Sequence, residues 1–254
     1  MTRNLKISLF AGMLAAAGLP LYIHLPRYAA AELGLSLQAL GALLIAVRVL
    51  DFAQDPLLGR MIDRFPAARG GFAAAAALGM GAGFALLFSL RPGPGVLVWL
   101  AAALVLVFTA YSLGSILFYG QSTAFAATGT ELIRMAGFRE AGALAGVILA
   151  AIAPAVLAAL GAPDAGYGAF GLLLAALCLI IWATSRSLWR LPAAAGSSLS
   201  LPALRNAGAA QLLMLALVNS LPVAITPTLF LFFVSDYLML PEMAGPFLIL
   251  FFLA

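Results

Sequence analysis

Apolar stretches long enough to cross a bilayer follow one another along nearly the whole chain, separated by short polar turns. A membrane-spanning helix takes about 20 apolar residues. With loops, 254 residues therefore accommodate about seven or eight spans. Barrel strands would alternate apolar and polar residues over about 10 positions; these stretches do not alternate, so helices are predicted. Composition leads to the same place. Hydrophobic residues make up 65% and charged residues 9%, with a mean hydropathy of +1.12. A soluble domain has about 45–50% apolar and about 25% charged residues. The polar surface needed to face water is missing, and most of the chain must be solvated by lipid. The predicted class is all-α and polytopic.

The spans are predicted at Ile7 to Pro26, Ser36 (a cap) to Gly59, Gly71 to Leu90, Val96 to Tyr119, Ala141 to Leu160, Tyr167 to Thr184 and Ala207 to Val234. The first run is too long for the apolar core of a signal peptide and leads into further spans. Arg60 to Arg69 reads as a basic loop, Arg91 to Gly95 and Gly161 to Gly166 as turns, and Thr128 to Arg139 as a polar segment. Pro222 and Pro227 are expected to break the seventh span, and Pro56 to break the second near the interface. Three units follow: a six-helix bundle over 1–184, a linker rich in Ser, Pro and Ala over 185–206, and the start of a second bundle over 207–254. The last run, from Ala244, is too short to span, as if the chain stopped inside an eighth helix.

Basic residues set the orientation. With the N-terminus in the cytoplasm, Arg3, Lys6, Arg60, Arg64, Arg69, Arg134, Arg139, Arg186, Arg190 and Arg205 lie inside, and only Arg27 and Arg91 outside. The net charge of +4 is scattered over these loops and makes no nucleic-acid patch. Cys178, the single cysteine, lies in an apolar run, so a disulfide or thiolate cluster is ruled out and a packing role is expected.

The exception to this apolar pattern lies inside the second span. Arg48, Asp51 and Asp55 stand at i, i+3 and i+7, on one face of a helix, with Gly41 before them and Gly59 after. Ionisable groups within a span are costly and face a bundle interior or a wet cavity. One arginine and two aspartates sum to −1, which suits one monovalent cation or one proton. Carboxylate oxygens are ligands for hard cations, and two carboxylates close together favour keeping a proton on one of them. The competing reading is a structural ion pair near a helix end.

Other polar positions are less pointed. Ser115, Tyr119 and Ser122 share a face of the fourth span and could line a pocket, or bond their own backbone. Asn219 and Ser220, beside Pro222, could mark an unwound point next to a site or a packing kink. His24 reads as an interfacial side chain. Gly79, Gly81 and Gly83 favour close helix packing and form no phosphate loop, since they lie in mid-span with no lysine after them. No nucleophile–base pair and no metal-ligand spacing stands out, so an enzyme is not expected.

The joined pattern Arg48, Asp51-x-x-x-Asp55-Pro56-x-x-Gly59-x-x-x-Asp63-Arg64 resembles the glycoside–pentoside–hexuronide:cation symporter family. Its Gly59-x-x-x-Asp63-Arg64 part is similar to the inter-helix motif of the wider major facilitator superfamily. The resemblance extends to Tyr111-Ser-Leu and to Arg139 through Gly146, and covers the chain in span order and linker position. It implies a twelve-span transporter of two six-helix bundles, of which this chain would be the first bundle and about one and a half further helices, with a C-terminal half still to be supplied. It implies cation binding at Asp51 and Asp55 with Arg48 holding them, a cytoplasmic hinge at Gly59, Asp63 and Arg64, and Arg139 near the solute pocket. Substrate-pocket candidates are then Ser115, Tyr119, Arg139 and Asn219. Family sugar transporters carry an acidic sugar ligand in the first span, where this chain has none. A second such ligand falls at Ser115, and a sugar-facing tryptophan at Tyr119. The coupling machinery is thus matched more closely than the sugar site. The expected function is symport of a sugar or other small organic solute with Na⁺ or H⁺, without a cofactor, in the bacterial inner membrane. The alternative is a non-transporting structural or regulatory membrane protein derived from such a transporter.

Overall fold

The first span is two helices rather than one. In the computed structural model, which describes residues 1–125, 128–159, 166–190, 209–243, 246, 247 and 250, α1 (Arg3–Tyr22) gives way at Ile23 to α2 (His24–Ala31). Pro26 explains the break, because it lacks the N–H that would close on the Tyr22 carbonyl. His24 is not interfacial as expected. It is 6% exposed, and its Nε2 lies 3.1 Å from the Ala150 carbonyl oxygen, so burial of the ring is matched by a polar partner.

α3 (Leu37–Arg64) starts where expected, with the Ala39 N–H donating to the Ser36 hydroxyl at 3.1 Å. It ends later than expected and is unbroken at Pro56. No residue between Gly59 and Arg64 opposes a helix. The stop comes at Phe65 (φ −121°, ψ 62°), which Pro66 bars from helical geometry. Much of the expected basic loop is therefore the last turn of α3, followed by a short 3₁₀ turn, Pro66–Ala68.

α4 (Arg69–Leu87) and α5 (Val96–Gly120) are joined by the expected turn, whose Gly95 has a φ of +81°. α6 (Gly129–Ala159) begins at Gly129 rather than Ala141. The polar stretch before Ala141 is helical because Thr128 accepts from the Glu131 N–H at 3.2 Å, the Thr-x-x-Glu signature of a helix start. At 31 residues α6 is about 46 Å long, so its polar first turns extend past the hydrocarbon layer. α7 (Gly166–Ser185) runs into a 3₁₀ stretch, Arg186–Arg190. α8 (Ala209–Phe232) passes both proline positions without a break and changes to a π-helical turn only at Phe233–Tyr237. The linker from 191, the turn over 161–165 and most of the run after 243 lie outside the described residues.

Among the described residues, six helical segments, from Arg3 to Arg190, are long and apolar enough to cross a membrane, as a first six-helix bundle requires. No strand occurs among the described residues. The closest pairing is α1 with α6, which run parallel. A Cβ on Gly12 would sit 2.8 Å from the Gly142 carbonyl oxygen, and Cβ atoms on Gly142 and Gly146 would run into the backbones of Ser8 and Gly12. Only hydrogen atoms fit between these backbones, so the seam depends on glycine. α4 runs antiparallel to α5 and α7 through Gly79 against Ala110 and Gly81 against Ala175.

Tyr28, Phe88, Tyr167 and Phe170 cluster at one end of the bundle, and the Tyr28 hydroxyl donates to the Leu90 carbonyl at 2.8 Å. Phe10, Phe118, Phe125 and Trp189 cluster at the other, the end that carries the N-terminus. Cys178 is buried in the core, as its apolar setting predicts. α3 is the least buried span and shows Ile45, Val49, Phe52 and Leu57 on its outer side.

Candidate functional site

The Arg48 face of α3 turns toward α1 and α5. The Arg48 guanidinium donates from Nη1 to Asp51 Oδ2 at 3.2 Å and from Nη2 to the Tyr22 hydroxyl. It lies over the rings of Phe108, 4.3 Å from the centroid, and Tyr22, 5.3 Å from the centroid. Two aromatic faces thus hold the cation in place. The Asp51 side chain is 8% exposed, whereas that of Arg48 is 46% exposed. The cation reaches the rim while its carboxylate partner stays inside.

The second oxygen of Asp51 is held by a residue that sequence reasoning passed over. Gln54 Nε2 donates to Asp51 Oδ1 at 2.8 Å, and Gln54 Oε1 accepts from Thr109 Oγ1 of α5 at 3.0 Å. An ionised carboxylate only accepts, so the amide nitrogen must face Asp51 and the amide oxygen must face the threonine. One carboxylate is therefore fixed by residues of three helices. A polar Gln between two aspartates in a span was the available signal; its pairing with Thr109 was not visible from spacing.

Asp55 lies one turn further along α3, near enough for its charge to act on Asp51. Its Oδ1 is buried and has no hydrogen-bond partner among the described residues. A buried carboxylate oxygen left without a donor is costly. A proton or a small cation on that oxygen removes the cost. The set of Arg48, Asp51 and Asp55 carries a formal charge of −1.

The other predicted residues fall lower in the bundle. α3 and α5 run parallel, with Gln54 at Thr109 and Gly59 facing Ile116. That register puts Tyr119 about level with Asp63, about 15 Å along α5 from Thr109. There the structure brings two pocket candidates together. The Arg139 guanidinium lies 5.3 Å from the Tyr119 ring centroid and donates from Nε and Nη2 to Glu140 Oε1, at 3.0 and 2.8 Å. Ser115, one turn deeper on α5, lies beside the Tyr111 hydroxyl. Asn219 is exposed on α8 and shares no hydrogen bond with these residues among those described. Gly59 is half-buried, and Asp63 and Arg64 are exposed on the last turn of α3, with Arg64 6.0 Å from the Phe65 ring centroid.

A helical bundle with polar side chains converging inside it suits the passage of a small polar solute. Comparison with individual curated proteins gives no match. A family comparison does: the pattern described as MFS/sugar transport protein matches residues 7–254. With that match over nearly its whole length, and with six membrane-length helices in the order such a bundle requires, the chain belongs to the MFS/sugar transport protein family of integral membrane transporters.

Proposed function

We propose that this transporter is a symporter, which couples entry of a sugar or other small organic solute to a monovalent cation, Na⁺ or H⁺, held at Asp51 and Asp55. The observation that carries this reading is the contrast between the two carboxylates. Asp51 is fully engaged by Arg48 and Gln54, whereas Asp55 Oδ1 is buried without a partner. A structural ion pair accounts for the first and leaves the second unexplained. A cation bound to Asp55, and to Asp51 when Arg48 swings away, neutralises the site and favours one arrangement of the helices around it. Arg48 is then the resident counter-ion that the cation displaces.

Tyr119, Arg139 and Ser115 would meet the solute on the side of the bundle that carries the N-terminus, and Asn219 would face it from the second bundle. Gly59, Asp63 and Arg64 would form the hinge between helix ends. The basic end lies in the cytoplasm in this reading, and the membrane is the bacterial inner membrane. The family match gives no support to a non-transporting role.

The test is a titration of the full-length transporter with Na⁺, Li⁺ and H⁺, followed by thermal stability, in wild type and Asp55→Asn. Na⁺ or Li⁺ should raise Tm saturably in wild type and not in the variant. A response to pH alone, lost in Asp55→Asn, identifies the proton as the coupling ion. A folded wild type that responds to none of them, or an Asp55→Asn that responds fully, overturns the proposal.

A further inference from the structure

At the end of the bundle that carries the N-terminus, a groove of about 630 Å³ lies between the start of α4 and the end of α7. Pro66, Ala67 and Gly70 form one wall, and Trp182, Arg186, Trp189 and Arg190 the other. No carboxylate lines it among the described residues. Neither Arg186 nor Arg190, nor the neighbouring Arg69, has an ion-pair partner among the described residues. The Arg186 guanidinium is held 4.2 Å from the Trp182 ring centroid, so it is placed before any ligand arrives. Lys6 adds a fourth positive charge nearby, its Nζ donating to Ser187 Oγ, next in the chain to Arg186, at 2.6 Å.

Two buried donors here have no acceptor among the described residues. Trp189 is 7% exposed and its indole N–H has no partner among the described residues. Arg69 is 8% exposed and its Nε–H is likewise unmatched. Buried N–H groups are nearly always matched, so two unmatched donors beside a cation-lined groove favour an anionic acceptor. The depth of the groove narrows the choice. It opens where α7 ends, at Ser185, the level at which Trp and Arg meet lipid headgroups. About two turns deeper, Leu78 of α4 and Leu179 of α7 are exposed and level with each other by the register of Gly81 on Ala175. A ligand with a phosphate head and an apolar tail matches both levels.

We propose that this groove binds the phosphate of an anionic phospholipid, with Arg186 and Arg190 on the phosphate and the acyl chains along α4 and α7. Basic pockets between membrane helices suit such headgroups. The proposal does not depend on cation coupling at Asp55, which lies on another helix.

The test uses the full-length transporter in detergent, with phosphatidylglycerol, phosphatidylcholine of the same chains, or inorganic phosphate added, and Tm as the readout. Phosphatidylglycerol should raise Tm saturably, and the other two should have little effect. The double variant Arg186→Gln, Arg190→Gln should weaken the apparent affinity for phosphatidylglycerol roughly tenfold or more. Both side chains are exposed, so the variant should keep the lipid-free Tm of the wild type. The variant Arg27→Gln, Arg91→Gln, at the opposite end, should respond to phosphatidylglycerol as wild type does. Equal responses to the two lipids, a full response to inorganic phosphate alone, or an unchanged affinity in the Arg186, Arg190 variant would each overturn the proposal. If that variant fails to fold, Arg186→Lys with Arg190→Lys, which keeps the charge, must retain the preference for phosphatidylglycerol.

Discussion

Gln54 bears on how firmly Asp51 is held. It donates to one carboxylate and accepts from Thr109, so it joins α3 to α5 through a side chain whose orientation is set by both neighbours. Gln54→Leu keeps the volume and removes both bonds. The expected loss is about 1–3 kcal/mol of thermal stability, since a buried carboxylate gives up a donor. Thr109→Val should cost less, because it frees only the far side of the amide. Denaturation curves of the two variants would check the order; an equal or larger loss in Thr109→Val would place the strain in α5 instead. At this scale the sequence was legible where charge stood out. Arg48, Asp51 and Asp55 declare themselves because charges in a span are rare. Gln54, Thr109 and Tyr22 do not, because a neutral polar residue in an apolar run is common and its partner sits on another helix. The level of Tyr119 and Arg139, at the basic end and not beside Asp51, depends on the α3–α5 register, which no spacing along one helix encodes.

Helix ends show the same division. Ser36 and the Arg91–Gly95 turn were readable because caps and turns use particular residues. The break at Ile23 comes from Pro26, three residues on, and the first turns of α6 fall outside the span expected from Ala141 because they are polar rather than apolar. They are helical and lie beyond the apolar layer. The prolines expected to break α3 and α8 do not, since a long helix can tolerate one missing hydrogen bond when its neighbours hold it. Glycine makes a sharper prediction. A Cβ at Gly142 would enter the Ser8 backbone, while one at Gly41 would meet nothing within 4 Å. Gly142→Ala should therefore force α1 and α6 apart and cost roughly 1–3 kcal/mol or more. Gly41→Ala should be neutral or stabilising by up to about 1 kcal/mol, through helix propensity. Thermal unfolding of the two single variants checks the contrast, and similar Tm values would contradict the packing described for the seam.

Across the whole molecule, charge divides the two ends. Arg3, Lys6, Arg60, Arg64, Arg69, Arg186 and Arg190 gather with the N-terminus, and Arg27 and Arg91 face the other way. The proposed orientation is checked with Cys178→Ser as background, since that buried thiol is the chain's one cysteine. In intact cells, a membrane-impermeant maleimide should label Gly93→Cys and not Ala67→Cys; the reverse pattern would invert the topology. The architecture was legible at this scale because lipid imposes so simple a rule on composition.

The glycine seam has a mechanical consequence. A helix pair that meets backbone to backbone cannot slip along its axis, because a shift of one residue would drive a side chain into a gap sized for hydrogen. α1 and α6 therefore behave as a keyed shaft. Whatever tilts one tilts the other, and Tyr22 at the far end of α1 travels with Arg139 near the start of α6. A swing of that shaft would loosen Arg48 and shift the Arg139–Tyr119 stack in a single stroke.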